Sequence, residues 1–294
     1  MRQTSDAAAP ANPFAAQTTH ALRGDYERMR PDYTVDQPYE AYTEEEHARW
    51  RFLYERQSKL LQNYAAAEFI EGLARMDAGA RIPRLDQANE VLTRATGWRL
   101  VAVPGLIPDD VFFDHLANRR FPVAWWMRRA DEMDYLVEPD IFHDFFGHVP
   151  LLSNPVFARY MQAYGEGGPK AIRHGCQKML ARLYWYIVEF GLIETPKGLR
   201  AFGAGMLSSR DETVYSVESP EPHRVRFDLA RVLRTNYMVD AFQKTYFVID
   251  SFDSLFAASY QDFTPFYERL KGAPAIDPAT LLADDRVVTR GTIV

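Results

Sequence analysis

The segment Glu138–Leu152, EPDIFHDFFGHVPLL, sets two imidazoles, His143 and His148, in a frame of phenylalanine, isoleucine, valine and leucine. Such a frame folds by leaving water and takes the imidazoles with it, so the core must satisfy them. A hydrogen-bonded core pair is one solution, and a shared metal ion is another. On a straight α-helix five steps of about 100° leave two side chains about 140° apart, too far round to share an ion. Sharing therefore predicts a helix that ends between or at them. Gly147 and Pro150 supply the means: Pro150 pushes Val149 away from helical geometry and Gly147 lets the backbone turn.

A third donor from a neighbouring element is Glu189, which interrupts the ring-rich run Tyr184-Trp185-Tyr186-Ile187-Val188-Glu189-Phe190. An unpaired carboxylate buried there would be protonated or cost several kcal/mol, whereas a salt bridge to a nearby arginine or a divalent cation compensates it. Two neutral imidazoles and one carboxylate form a facial triad with open positions, suited to non-haem Fe(II) and oxygen chemistry. A structural zinc site would require a fourth protein ligand, and a zinc hydrolase has no HExxH here to support it. His20, His47, His115, His174 and His223 are assigned to the surface or to packing.

The remaining composition narrows the partners. With 40 acidic and 34 basic side chains the net charge is −6, which argues against nucleic acid or an anionic membrane. Cys176 is the single cysteine of 294 residues, so a disulfide framework is excluded and a reducing, cytoplasmic setting is expected. The dense apolar runs Phe121–Met127 and Leu183–Val188 are far shorter than a bilayer span, and MRQTSDAAAPANPFAAQTTH has no apolar signal core.

The pattern predicts a mainly α fold with small β elements in a single domain. Residues 1–40 read as a mobile arm, 41–271 as the folded domain, and 272–294 as an extension without a coiled-coil pattern. Thr43 before Glu44-Glu45-Glu46 caps a helix over about 44–62, and a second covers Ala65–Met76. A third helix ends at Gly97, Trp98–Val103 is a strand, and Pro108 opens a helix to about Asn118. Phe121–Arg128 reads as extended and Glu138–Gly147 as helical. Asn154-Pro155 opens a helix to about Tyr164, Gly165–Lys170 breaks it, and Ala171–Phe190 forms the next. Phe227–Thr235 and Phe252–Leu270 are helical, and Lys244–Ile249 is a strand.

EPDIFHDFFGHVPLL, YWYIVEFGL over Tyr184–Leu192 and AFGAGMLSS over Ala201–Ser209 closely resemble the pterin-dependent aromatic amino acid hydroxylases, in consistent order over about 40–270. The compact length is similar to the bacterial phenylalanine enzymes. The resemblance implies a mostly helical catalytic domain and Fe(II) held by His143, His148 and Glu189. Tetrahydrobiopterin, as the two-electron donor, and O2 bind beside the iron. It further implies that Phe112 stacks on the pterin, that Gly105-Leu106 forms a pterin-facing loop, and that Glu212 is an acid near the pterin. Arg128 would clamp the substrate carboxylate, with Asp140 orienting it and Ser208 assisting. Trp185 in place of a smaller ring, and Val239 in place of an Asp, favour L-phenylalanine as substrate and L-tyrosine as product. A tryptophan hydroxylase and a non-catalytic pterin- or metal-binding protein are the alternatives. The lack of the animal enzymes' regulatory segment and C-terminal arm implies a monomer.

Overall fold

Thr43 starts the first long helix, α1 (Glu44–Tyr64), through a reciprocal capping box with Glu46. In the computed structural model, which describes residues 23–134, 136 and 138–293, this helix buries Trp50, Leu53, Gln57 and Leu61 along one face. Helices α2 (Ala67–Met76) and α3 (Leu85–Thr96) follow, and α3 stops at Gly97, whose φ of 77° suits a residue without Cβ. Strands β1 (Arg99–Val103) and β2 (Arg120–Ala124) then pair in parallel across α4 (Asp109–Ala117). These elements lie within a few residues of the expected positions, except that the extended run after Phe121 leaves the strand at Ala124.

The stretch from Asn154 to Phe190 departs from expectation. Helix α6 (Pro155–His174) runs through Gly165–Lys170 and ends at Gly175, and only then does α7 (Gln177–Leu183) begin. The glycines are sites of close helix packing. A Cβ on Gly165 would lie 2.4 Å from the Ala117 amide nitrogen, and one on Gly168 would lie 2.1 Å from Cγ of Phe113. Contact with α4 thus outweighs the weak local propensity, and Pro169 is carried inside the helix. Gly168→Ala is therefore expected to lower stability by about 1–3 kcal/mol through overpacking. Gly167→Ala, where a Cβ meets nothing within 4 Å, is expected to raise it by up to about 1 kcal/mol. Urea unfolding of the two variants checks the pair, and equal effects would refute the packing role.

Two segments that carry chemistry are π-helical, Phe142–His148 and Tyr184–Glu189. The first continues directly into α5 (Val149–Leu152), and Val149 keeps helical angles of φ −64° and ψ −37°. The expected helix end at Gly147 and Pro150 does not occur. Pro150 sits in the opening turn of α5, where a missing N–H is tolerated, and the i→i+5 turn before it is wide enough to absorb the mismatch.

The second half builds a mixed five-stranded sheet in the order β4-β3-β6-β5-β7. Its strands are β3 (Leu192–Thr195), β4 (Gly198–Ala201), β5 (His223–Arg226), β6 (Thr245–Ile249) and β7 (Val287–Thr289). Between β4 and β6 lie α8 (Ala204–Leu207), α9 (Arg210–Glu218) and α10 (Leu229–Arg234), and after β6 come α11 (Phe252–Ser259) and α12 (Thr264–Leu270). The residues after α12 fold onto this sheet. β7 pairs antiparallel with β5, Gly291 N donates to His223 Nδ1 at 2.8 Å, and buried Arg231 pairs with Asp285 at 2.9 Å. Residues 23–40, assigned to a mobile arm from sequence, also lie against the body. Val35 bridges Ala102 of β1, and the His115 ring nitrogen Nε2 lies 2.9 Å from the Asp32 carbonyl. The rest of that assignment, residues 1–22, falls outside the described residues.

A buried ring cluster supports the first π segment. Trp50 meets Phe142 and Phe145 edge-on, and Phe142 stacks on Phe146 at 4.8 Å. No helix among the described residues is long and apolar enough to cross a membrane.

Candidate metal centre

In an i→i+5 turn five residues come close to one full rotation, so His143 and His148 fall on the same side without any helix end. Their Nε2 atoms stand 3.3 Å apart. Glu189, the last residue of the other π segment, brings Oε1 to 3.2 Å from His148 Nε2 and Oε2 to 3.5 Å from His143 Nε2. Ligands about 2.0–2.2 Å from a first-row ion and roughly at right angles have donor separations of this size.

The sequence AFGAGML serves this carboxylate. Gly203 and Gly205 let the chain run against Glu189, because a Cβ on Gly203 would lie 2.4 Å from the Glu189 carbonyl oxygen. The Gly205 backbone amide lies where it favours the Glu189 carboxylate anion. Burial opposes its ionisation, yet His148, His143 and this amide together hold the carboxyl below its ordinary value.

Ser208 stands differently from the expectation drawn from the resemblance. Its hydroxyl donates to the Ala204 carbonyl at 2.8 Å, and its oxygen faces His143 Nδ1 at 2.9 Å. Nδ1 must then carry the ring proton, which leaves the Nε2 lone pair turned toward the cluster. With its proton committed to Ala204, Ser208 orients an imidazole and does not offer a donor to a carboxylate. Burial lowers the His143 pKa to about 4, so the ring is neutral at neutral pH. A neutral, oriented imidazole beside a buried carboxylate is a donor set that fits a divalent cation.

Arg128 and Asp140 form a fork beside the turn. Nε and Nη2 of Arg128 reach Asp140 Oδ2 and Oδ1 at 2.9 and 2.8 Å, with both residues buried. Burial disfavours the Asp140 anion, but Arg128 holds its pKa below the ordinary value. Oδ1 also accepts from the His143 amide at 3.0 Å, so one carboxylate joins the guanidinium to the first imidazole.

The other expected residues divide. Phe112 meets Tyr184 edge-on at 5.4 Å, and Tyr184 lies 6.3 Å from His148. Trp185 stacks on Tyr237 at 4.5 Å, and its indole nitrogen is buried with no partner among the described residues. Val239 is 71% exposed, so Tyr237, two residues earlier, is the loop ring that meets Trp185. Gly105 and Leu106 form the loop after β1. Glu212 is not brought to the triad. Its Oε1 accepts from Tyr246 Oη at 2.8 Å and Gln243 N at 3.2 Å, tying α9 to β6. Tyr184 and Tyr237 escaped assignment because rings are common in this chain. Asp144 escaped because only the fold shows it half-buried, accepting from Ala124 N at 2.7 Å with its pKa pushed up to about 7 by desolvation.

Burial also pushes the Glu212 carboxyl up to about 7. The folded chain therefore retains a proton that the unfolded chain loses near its ordinary pKa, and stability falls as pH rises between the two values. Glu212→Gln keeps an acceptor for both donors and is expected to be about 2–3 kcal/mol more stable than the wild type at pH 8. The gain should vanish at pH 4, and an equal gain at both values in urea titrations would refute it.

Residues 6–271 match the family described as biopterin-dependent aromatic amino acid hydroxylase. Phenylalanine-4-hydroxylase of Ralstonia nicotianae is 55% identical over 97% of this chain and 93% of its own length. That of Chromobacterium violaceum is 57% identical over 88% of each. The iron- and phenylalanine-bound crystal structure of the Chromobacterium violaceum phenylalanine hydroxylase superposes with a TM-score of 0.85 at 56% identity, covering 88% of this chain and 94% of that one. The chain belongs to the biopterin-dependent aromatic amino acid hydroxylases.

Proposed function

We propose that the chain is a phenylalanine 4-monooxygenase, forming L-tyrosine from L-phenylalanine with O2 and a tetrahydropterin. The observation that carries this reading is the convergence of His143, His148 and Glu189 in one partly buried cluster, with the Arg128–Asp140 fork attached to the same turn. Fe(II) and a tetrahydropterin bound here supply two-electron activation of dioxygen, with one oxygen atom delivered to the substrate ring. The protein's part is to hold and orient. His143 and His148 would present imidazole nitrogens and Glu189 the charge, leaving open positions on a three-ligand set. Arg128 spends two of its five N–H groups on Asp140 and keeps others for an amino acid carboxylate. Trp185 and Tyr237 offer stacked ring surface for a single-ring side chain, and Phe112, through Tyr184, offers a face for the pterin beside His148. The loop of Gly105 and Leu106 would present backbone groups to the same pterin.

The curated relatives named phenylalanine-4-hydroxylase favour this reading over tryptophan hydroxylation or a non-catalytic binding role. We further propose that it works as a monomer in the cytoplasm, its catalytic domain extending from 41–271 to the packed residues on either side. The test is incubation with ferrous iron, a tetrahydropterin and each aromatic amino acid in turn. Tyrosine from phenylalanine as the dominant product supports the assignment, and preferential hydroxylation of tryptophan overturns it. Metal analysis after anaerobic purification distinguishes iron from zinc, and equilibrium sedimentation gives the oligomeric state.

A further inference from the structure

We infer that the segment Arg23–Tyr26 is a strap that positions the pterin-facing loop, so that Tyr26 and Arg23 set affinity for the pterin and not for phenylalanine. This rests on the pterin role proposed for Gly105 and Leu106.

The strap is tied to that loop at successive residues. The Arg23 guanidinium pairs with Glu132 and lies over the Trp126 ring at 5.2 Å, while its amide donates to Glu138 Oε2 at 3.3 Å. Trp126 in turn donates its indole N–H to the Pro104 carbonyl at 3.1 Å. Gly24 touches the loop backbone: a Cβ there would lie 1.8 Å from the Pro104 oxygen. Tyr26 donates its hydroxyl to the Leu106 carbonyl at 3.0 Å. Gly105 lies under both partners, since a Cβ on it would be 2.5 Å from Glu138 Oε1 and 2.9 Å from Tyr26 Oη.

The strap does not hang free beyond these contacts. Val35 pairs with Ala102 on the strand that leads into the loop, so segment and loop are fixed to one frame. A loop that reads a planar ring by its backbone gains affinity from being held in place before the ligand arrives. None of the strap contacts involves His143, His148, Glu189 or Arg128, so their removal leaves the metal and substrate groups as they are.

The experiment uses the full chain and 7,8-dihydrobiopterin, which cannot donate the two electrons and so reports binding alone. Calorimetry is expected to show Kd about fivefold weaker in Tyr26→Phe, the effect of one lost hydrogen bond, and weaker still with Arg23→Ala added. In the iron-loaded enzyme KM for the tetrahydropterin should rise by a similar factor, with KM for phenylalanine and kcat within about twofold of wild type. Arg28→Ala, an exposed side chain two residues beyond the strap, should change nothing. The inference is overturned if the wild type binds the dihydropterin and forms tyrosine while both variants keep its Kd. It is equally overturned if the phenylalanine and pterin constants move together, the sign of a merely structural role. A wild type that neither binds the pterin nor forms tyrosine defeats the proposed function and this inference together.

Discussion

Glu189→Gln is expected to abolish stoichiometric iron binding and to reduce tyrosine formation by about a thousandfold or more. The substitution preserves size but removes the anionic arm of the three-residue cluster, leaving two imidazoles to hold a divalent ion. Ser208→Ala should be milder, weakening iron affinity by about 10- to 100-fold, because it releases the orientation of His143 and not a ligand. Metal content after anaerobic loading, read beside product formation, separates the two. If Glu189→Gln retained one iron per chain and near-wild-type turnover, the ligand set would be wrong.

Arg128→Leu should lower stability by about 3–5 kcal/mol, because it leaves Asp140 buried without its guanidinium partner. It should also raise KM for phenylalanine, since it removes the proposed carboxylate clamp. These effects can be divided. Adding Asp140→Asn removes the stranded charge and keeps an acceptor for one of the two amides, that of residue 128 or that of His143, so part of the stability should return. Affinity for phenylalanine should not return with it. Chemical denaturation and steady-state kinetics on the single and double variants provide the check. Recovery of both properties together would show that Arg128 serves the fold alone.

The strap over the loop of Gly105 and Leu106 fits the same pattern as Ser208 and Asp140. In each case a group assigned to neither metal nor ligand fixes one for which such a contact is proposed. Such supporting contacts join positions far apart in the chain, here 65 residues between His143 and Ser208 and 80 between Tyr26 and Leu106. No local periodicity encodes them.

The candidate ligand set was legible because chemistry at those positions is improbable without a partner: two imidazoles in a ring-rich frame and a carboxylate at the end of an apolar run. Helix starts were legible where a cap does local work, as Thr43 with Glu46. The route from residues to geometry was not. A straight helix would set His143 and His148 on different sides unless it ended near Gly147, whereas a change of helical pitch aligns them. Similarly, Gly165, Gly168 and Pro169 read locally as a break, and only the approach of α4 explains why the helix continues.

What the amino-acid order determined by itself was the set of groups that burial forces to find partners, and the elements whose signals lie within one or two turns. The tertiary structure decided which face each group occupies, that Ser208 serves His143, that Glu212 braces α9 against β6, and that the terminal segments pack on the body. The physical reason is range. Propensity and capping act between neighbours in the chain, whereas pitch, glycine contacts and buried hydrogen bonds are settled by whichever surfaces exclude water together.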